Sequence, residues 1–163
     1  MIQQTLVLVK PDGVARGLIG EVIRRFEQRG LKIVALKLVK IDLDHAKQHY
    51  TEEIAEKHGE NVRKLLLDFI TEGPVVAMVI EGVAAIENTR KIVGDLESKS
   101  ALLGTIRGDF SHISRSYADR KGIVIKNVVH ASSDESTAKK EIALWFSPDE
   151  IFDYKRSGDE HLL

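Results

Sequence analysis

His130 stands where an apolar run ends, within KNVVHASSDESTAKKEIALWF (126–146). Asn127, Val128 and Val129 read as strand, and a serine cluster and a helix follow. An imidazole in that place can fill a core, bind a metal, move a proton or take up a covalent group. Strand alternation puts His130 and Ser132 on one face. Glu141 lies beside the Ala138–Ile142–Trp145 stripe of the following helix, so it falls near the seam between helix and sheet. A carboxylate there is available to orient the imidazole and select its tautomer. Such a group suits a histidine whose nitrogen lone pair must be free to attack.

Three cations occupy positions with the same potential. Lys10 sits at a strand end before a turn, Arg90 on the helix after an apolar strand, and Arg107 in GTIRGDF between Gly104 and Gly108. Those glycines permit close approach of backbone to a ligand. Taken singly, each cation also reads as an ordinary solvated side chain. The other histidines (His45, His49, His58, His112, His161) form no HExxH or CxxC-type pattern. His45 and His49 are one helical turn apart, but the carboxylates around them read as ordinary helix surface, and no dedicated metal site is expected. Gly17-Leu18-Ile19-Gly20 resembles the GxxG loop of a KH domain, yet its strand–helix context is incomplete and the chain is not basic, while an RRM-type reader would need an aromatic-rich strand and the strands here are aliphatic.

The elements that must position these groups follow from the apolar period. Thr5 to Val9 is β-rich, and Pro11-Asp12-Gly13 reads as a turn after it. Ile19, Val22, Ile23 and Phe26 mark an amphipathic helix stopped at Gly30. Leu31 to Ile41 alternates Val34, Leu36 and Leu38 against Lys37 and Lys40, as a strand does. Asp42 caps a helix to about Lys57, and Gly59 separates it from a second one ending near Ile70. Val75 to Ile80 reads as a strand buried on both faces, Ala84 to Val93 as helix, and Gly94 to Gly104 as an irregular polar loop. Residues 111–126 carry no clear period. Val128 to Ala131 is the fourth strand, a helix follows, Ser147-Pro148 opens a final short helix, and the tail from Arg156 reads as loose.

The order is β-α-β-α-α-β-α-β-α. Without the helical hairpin and the C-terminal helices it reduces to the β-α-β-β-α-β ferredoxin-like pattern of an α+β protein. The absence of a strand followed by GxGxxG, and of any Walker A sequence, argues against a Rossmann or P-loop fold. With 163 residues and no linker, repeat or low-complexity tract, residues 1–163 read as one domain.

Composition narrows the partners. A net charge of −1 excludes a polycation built for nucleic acid, and none is expected as a partner. There is no cysteine, hence neither disulfide nor thiolate chemistry. No apolar run reaches membrane-spanning length and the N-terminus lacks a signal-like core, so a cytoplasmic protein without membrane attachment is the expectation.

Together these segments resemble the nucleoside diphosphate kinase family. The matching stretches are LVKPDGVARGLIGEVIRRFEQRGLKI (8–33), HY (49–50), GPVVAMVIEG (73–82), Arg90, GTIRGDF (104–110), NVVHAS (127–132) and KKEIALWFSPDEI (139–151), in the family's order. The resemblance implies ping-pong transfer of the γ-phosphate of a nucleoside triphosphate to a nucleoside diphosphate. It implies a phosphohistidine on His130 and Mg²⁺ bound mainly through the nucleotide phosphates. By the same resemblance Lys10, Tyr50, Arg90 and Arg107 surround the phosphates, Lys10 and Asn127 meet the sugar hydroxyls, and Ser132 and Glu141 stand behind the histidine. A four-stranded antiparallel sheet and a homo-oligomer, a hexamer or a tetramer, are implied as well. Rival readings are a ferredoxin-like regulatory or nucleic-acid-binding module without turnover, and a phosphohistidine relay to a protein acceptor.

The chain departs from the family pattern on the nucleoside side. Thr51 to Glu72 is longer than the usual link. The family's base-stacking aromatic corresponds to Val62, its phosphate-contacting threonine to Leu96, and the proline beyond it to Ser98. An aspartate near the metal corresponds to Ser133, with Asp134 one residue late, and residues 111–126 are an extended insertion. These changes predict activity with looser or altered nucleotide handling.

Overall fold

The computed structural model describes residues 1–161. Four strands form one sheet: β1 (Ile2–Val9), β2 (Lys32–Val39), β3 (Val75–Val83) and β4 (Val129–Ala131). Their spatial order is β2-β3-β1-β4, and each neighbouring pair is antiparallel, the ferredoxin-like arrangement. The helices are α1 (Pro11–Ala15), α2 (Ile19–Gln28), α3 (Leu43–His49), α4 (Glu52–His58), α5 (Glu60–Thr71), α6 (Ala85–Val93), α7 (Ile106–Phe110), α8 (Arg115–Lys121) and α9 (Glu135–Trp145).

Strand parity divides the core in two. Leu6 and Leu8 of β1, with Val75, Ala77 and Val79 of β3, pack against Ala46, Leu67, Ile70 and Trp145 from α3, α5 and α9. Val7, Val9, Val76, Met78 and Ile80 face the other way, onto Val22 and Phe26 of α2, Val93 of α6 and Ile106 of α7. Leu6 to Val9 are all fully buried, so β1 reads as a continuous apolar run because it is covered on both faces. Burying each such side chain contributes about 1.5–3 kcal/mol. This double cover makes β1 a rigid rod, and Lys10 stands at its C-terminal end.

Several local expectations are corrected. Pro11-Asp12-Gly13 is the first turn of α1, with Pro11 at the position where a missing N–H costs nothing. The helix expected from Asp42 to Lys57 is two helices, α3 and α4, broken at Tyr50-Thr51. Tyr50 leaves the helical path and buries its ring, while α4 has no fully buried residue and lays only Ile54 partly on the core, so one straight helix could not satisfy both. A bulge between Ile33 and Ala35 breaks the alternation of β2. Val34 and Ala35 are both buried, whereas Leu36 and Leu38 are 51% and 62% exposed on this edge strand. Residues 111–126 contain α8, capped by the Ser114 side chain and closed by Gly122 in the left-handed conformation. The tail is tied down: Arg156 donates to the carbonyls of Gly30 (2.9 Å) and Leu31 (3.0 Å) and pairs with Asp159. The final short helix is a 3₁₀ turn, Pro148–Glu150, whose Glu150 carboxylate accepts from the Ser147 N–H at 2.8 Å.

Candidate active site

His130 is the middle residue of β4 and pairs with Leu8 of β1, so the central rod of the sheet sets its backbone. The ring is partly open to solvent, with its side chain 25% exposed. Its Nε2 lies 2.9 and 3.1 Å from the two Glu141 oxygens, and the Ser132 hydroxyl donates to the same carboxylate. Burial pushes the Glu141 carboxyl up, but the hydrogen bond and charge of His130 outweigh it, and the net shift is downward. An ionised carboxylate can only accept, so Nε2 carries the proton and the Nδ1 lone pair stays free.

The approach to His130 is strained. Val128 has φ +71°, a left-handed conformation that a β-branched residue rarely adopts, and strand β4 begins only after it. The Asp12 carboxylate accepts the Val128 N–H at 2.9 Å, and the Lys10 N–H donates to the Val128 carbonyl at 2.8 Å. Residues from the β1–α1 junction thus hold the kink that aims β4. Gly13 completes the fit, because a side chain there would collide with Val9 and Val128.

The predicted cations and polar groups converge on this place. Lys10 is buried, and its ammonium donates to Asn127 Oδ1. Burial, then the competing effects of Asp12 and Arg107, bring its pKa down to about 8. Arg107, also buried, donates to the carbonyls of Gly94 (3.0 Å) and Val129 (2.9 Å), while its Nε has no partner. Burial, together with the nearby Arg90 charge, lowers its pKa to about 10. Arg90 itself is exposed on α6. Tyr50 is buried, which raises its phenol pKa. Asn127 spends its amide on the Leu96 carbonyl at 2.7 Å.

The positions that depart from the family pattern sit differently. Val62 is 40% exposed on α5 and Leu96 is 54% exposed, and Leu96 meets Asn127 through its backbone carbonyl. Gly108 is small for an internal reason: a Cβ would meet the Leu102 carbonyl oxygen at 2.0 Å. Asp134 is the N-cap of α9, accepting from the Thr137 N–H at 2.8 Å and from the Ser133 hydroxyl.

Sequence reasoning missed Asp12, Val128 and His49. His49 is buried edge-on to His130, with ring centroids 4.7 Å apart, and Trp145 Nε1 donates to its Nδ1 at 3.2 Å. Burial, then the neighbouring His130, pushes its pKa down to about 3, so it stays neutral. The HY pair was the available signal. His45 packs edge-on against Trp145, with ring centroids 4.6 Å apart. Among the described residues His49, His130 and Glu141 offer ligand atoms within 4.8 Å of one another, but a metal there would consume the free histidine and its carboxylate.

Comparison with known proteins gives one consistent result. A family profile described as nucleoside diphosphate kinase matches residues 3–151. The nucleoside diphosphate kinase of Borreliella burgdorferi is 50% identical over 99% of this chain and 98% of its own. That of Pyrococcus furiosus is 46% identical over 97% of this chain and 91% of its own. A solved structure of the Borrelia burgdorferi enzyme, a transition-state mimic with bound vanadate and ADP, superposes with a TM-score of 0.96 at 49% identity, covering 98% of this chain and 96% of the other. A Halobacterium salinarum enzyme in complex with CDP gives 0.86 at 38% identity, covering 100% and 99%.

Proposed function

The chain belongs to the nucleoside diphosphate kinase family, and from that premise we propose that His130 Nδ1 is the atom carrying the phosphoryl group between nucleotides. The activity of the family is transfer of the γ-phosphate from a nucleoside triphosphate to a nucleoside diphosphate through a phosphohistidine, and this chain is such an enzyme. The observation that carries the residue assignment is the Glu141 carboxylate on Nε2, which leaves the opposite nitrogen unprotonated.

The geometry supports a two-step exchange. Nδ1 attacks the γ-phosphorus of the donor, the N–P bond forms, and the bond to the β–γ bridging oxygen breaks with its electrons leaving on the diphosphate. A second diphosphate then attacks phosphorus with a terminal oxygen, and the electron pair of the N–P bond returns to His130. Charge on the equatorial oxygens must be met by fixed cations, because phosphoryl transfer asks mainly for positioning and electrostatics. Arg107 and Lys10 meet that need from buried, hydrogen-bonded positions, and exposed Arg90 can follow the moving group. The Tyr50 hydroxyl stays a neutral donor. Asn127 and Lys10 are assigned to the ribose hydroxyls.

Mg²⁺ fits a site of this kind, since Asp12 keeps one buried oxygen, Oδ1, without a partner. A cation carried in on the phosphates would be held there by Asp12 and would neutralise phosphate charge. The free nucleotide-side positions, Val62 and Leu96, support broad nucleotide acceptance.

A single domain and a homo-oligomer, a hexamer or alternatively a tetramer, complete the reading. Leu36 and Leu38 on the uncovered edge strand support assembly, and a sedimentation mass of one chain would refute it. Among the described residues no helix is long and apolar enough to cross a membrane, in keeping with a cytoplasmic enzyme.

Incubation with γ-labelled ATP tests the central step. The expected product is an acid-labile, base-stable label that His130→Ala abolishes and that added diphosphates discharge as triphosphate. A label that persists in His130→Ala removes the assignment. One that no diphosphate accepts transfers the function to a protein acceptor.

A further inference from the structure

Three clefts on the described surface differ in their charge. One, about 970 Å³ between β2 and α9, mixes Lys37, Lys40 and Lys139 with Asp42, Glu135 and Glu150. A smaller one of about 250 Å³ sets Arg29, Lys32 and Arg156 against Glu81 and Asp159. The third, about 530 Å³, is walled by the 111–126 insertion and contains Arg16, His112, Arg120 and Lys126 without a single carboxylate. Phe110 and Tyr117 add aromatic surface, the latter 46% exposed.

We propose that this third cleft is a second anion site, taking the phosphates of a nucleotide outside the catalytic pocket. Like charges gathered around one cavity repel, and in the other two clefts carboxylates relieve that repulsion. Here, among the described residues, the only carboxylate contact to a lining cation is a long one, Glu72 to Lys126 at 3.7 Å, made by a residue outside the cleft. An incoming phosphate is the missing counter-charge, and guanidinium groups bind it through charge-assisted hydrogen bonds.

The walls of the cleft are held by local hydrogen bonds. Arg16 donates to the Phe110 carbonyl at 2.6 Å, which fixes its guanidinium while leaving further N–H groups free. The Ser111 hydroxyl donates to the Lys126 carbonyl at 2.9 Å, closing the insertion at its base. The capped turn of α8 then holds Tyr117 and Arg120 opposite Arg16. A volume of this size lies in the range that small-ligand sites occupy. Lys126 connects it with the catalytic pocket: its ammonium and that of Lys10 both lie against the Phe69 ring, at 5.4 and 5.2 Å. Nucleotide held in the cleft therefore sits at the rim of the pocket it supplies.

The test is calorimetric titration of the full-length protein with ADP. Two classes of site per chain are expected, and the weaker is to be lost in Arg16→Ala/Arg120→Ala with a drop of about tenfold or more in its affinity. Arg120→Glu alone, which removes no hydrogen bond within the protein, should do the same. Tripolyphosphate should compete for the weaker class and adenosine should not, since the cations read phosphate. Labelling of His130 should be unchanged in every variant, which separates failure of this site from failure of the catalytic assignment. A single class of one ADP per chain, or a second class untouched by Arg120→Glu, overturns the proposal. So does Arg120-dependent binding of an oligonucleotide with no second class for ADP.

Discussion

The two halves of the catalytic pocket are held by unlike means. On the proposed phosphate side His130, Lys10 and Arg107 are each pinned at least twice, while Arg90 stays exposed. His130 is set by β1 pairing and by Glu141, Lys10 by burial and Asn127, and Arg107 by two carbonyls from different elements. On the proposed nucleoside side Val62 and Leu96 are 40% and 54% exposed. Chemistry at phosphorus needs its groups placed within a fraction of an ångström, so the fold over-determines them. Recognition of many bases is served by surfaces that discriminate little. On the proposed assignment the pocket divides into a rigid reactive half and a permissive binding half, and each half should respond to mutation in its own way.

The largest expected effect breaks the rigid half while leaving the pocket's shape. Glu141→Gln keeps the size of the side chain but removes the charge that the Nε2–H requires, and its amide can turn a donor toward His130. A loss of about ten- to a hundredfold in kcat, with KM for nucleotides unchanged, is expected for a group that positions a nucleophile. Steady-state kinetics with two diphosphates settles it. A matching rise in KM would place Glu141 in nucleotide binding, and the contrast between the halves would fail.

The division also marks what could be read in the residues. His130, Ser132 and Glu141 were legible because strand and helix periods put them on facing surfaces. Lys10, Arg90 and Arg107 were visible as cations in marked positions, but their convergence is a long-range fact, joining residues up to about a hundred positions apart through the sheet order. Asp12 was hidden because PDG scans as a turn, and its partner is the Val128 N–H, 116 residues away. Val128 was hidden because valine after asparagine scans as plain strand; the left-handed kink is imposed by tertiary hydrogen bonds, against its own propensity. The break at Tyr50 and the bulge in β2 have the same origin, a buried position that local period does not announce.

A moderate effect comes from Lys10, through pH. Its pKa falls from 10.5 to about 8 on folding, chiefly by burial. The unfolded chain therefore holds more protons between about pH 8 and 10.5, so the stability that charged Lys10 costs below pH 8 is regained as pH rises through that window. Binding runs the other way, because phosphate selects the charged ammonium. KM for nucleotides should rise by up to about tenfold for each pH unit above 8, less any upward shift that bound phosphate imposes. Lys10→Arg stays protonated and should flatten the profile. A wild-type KM constant from pH 7 to 10 would show that Lys10 is not a phosphate ligand.

The smallest effect sharpens the permissive half. Val62→Phe and Leu96→Thr restore the aromatic and the hydroxyl of the family pattern at two exposed positions. Both are surface changes, so stability should move by no more than about 0.5 kcal/mol. An aromatic on α5 gives a base a face to stack on, worth about 1–3 kcal/mol where stacking is fully formed. With α5 at the pocket's margin only part of that is realised, and KM should fall by about three- to tenfold, more for purines than for pyrimidines, at unchanged kcat. Leu96→Thr should act more weakly, because its backbone carbonyl already holds Asn127 and the side chain starts from solvent. The comparison of kcat/KM across purine and pyrimidine diphosphates reads both. If Val62→Phe instead changes kcat, the exposed half is coupled to phosphoryl transfer, and the separation of a rigid from a permissive half no longer describes this enzyme.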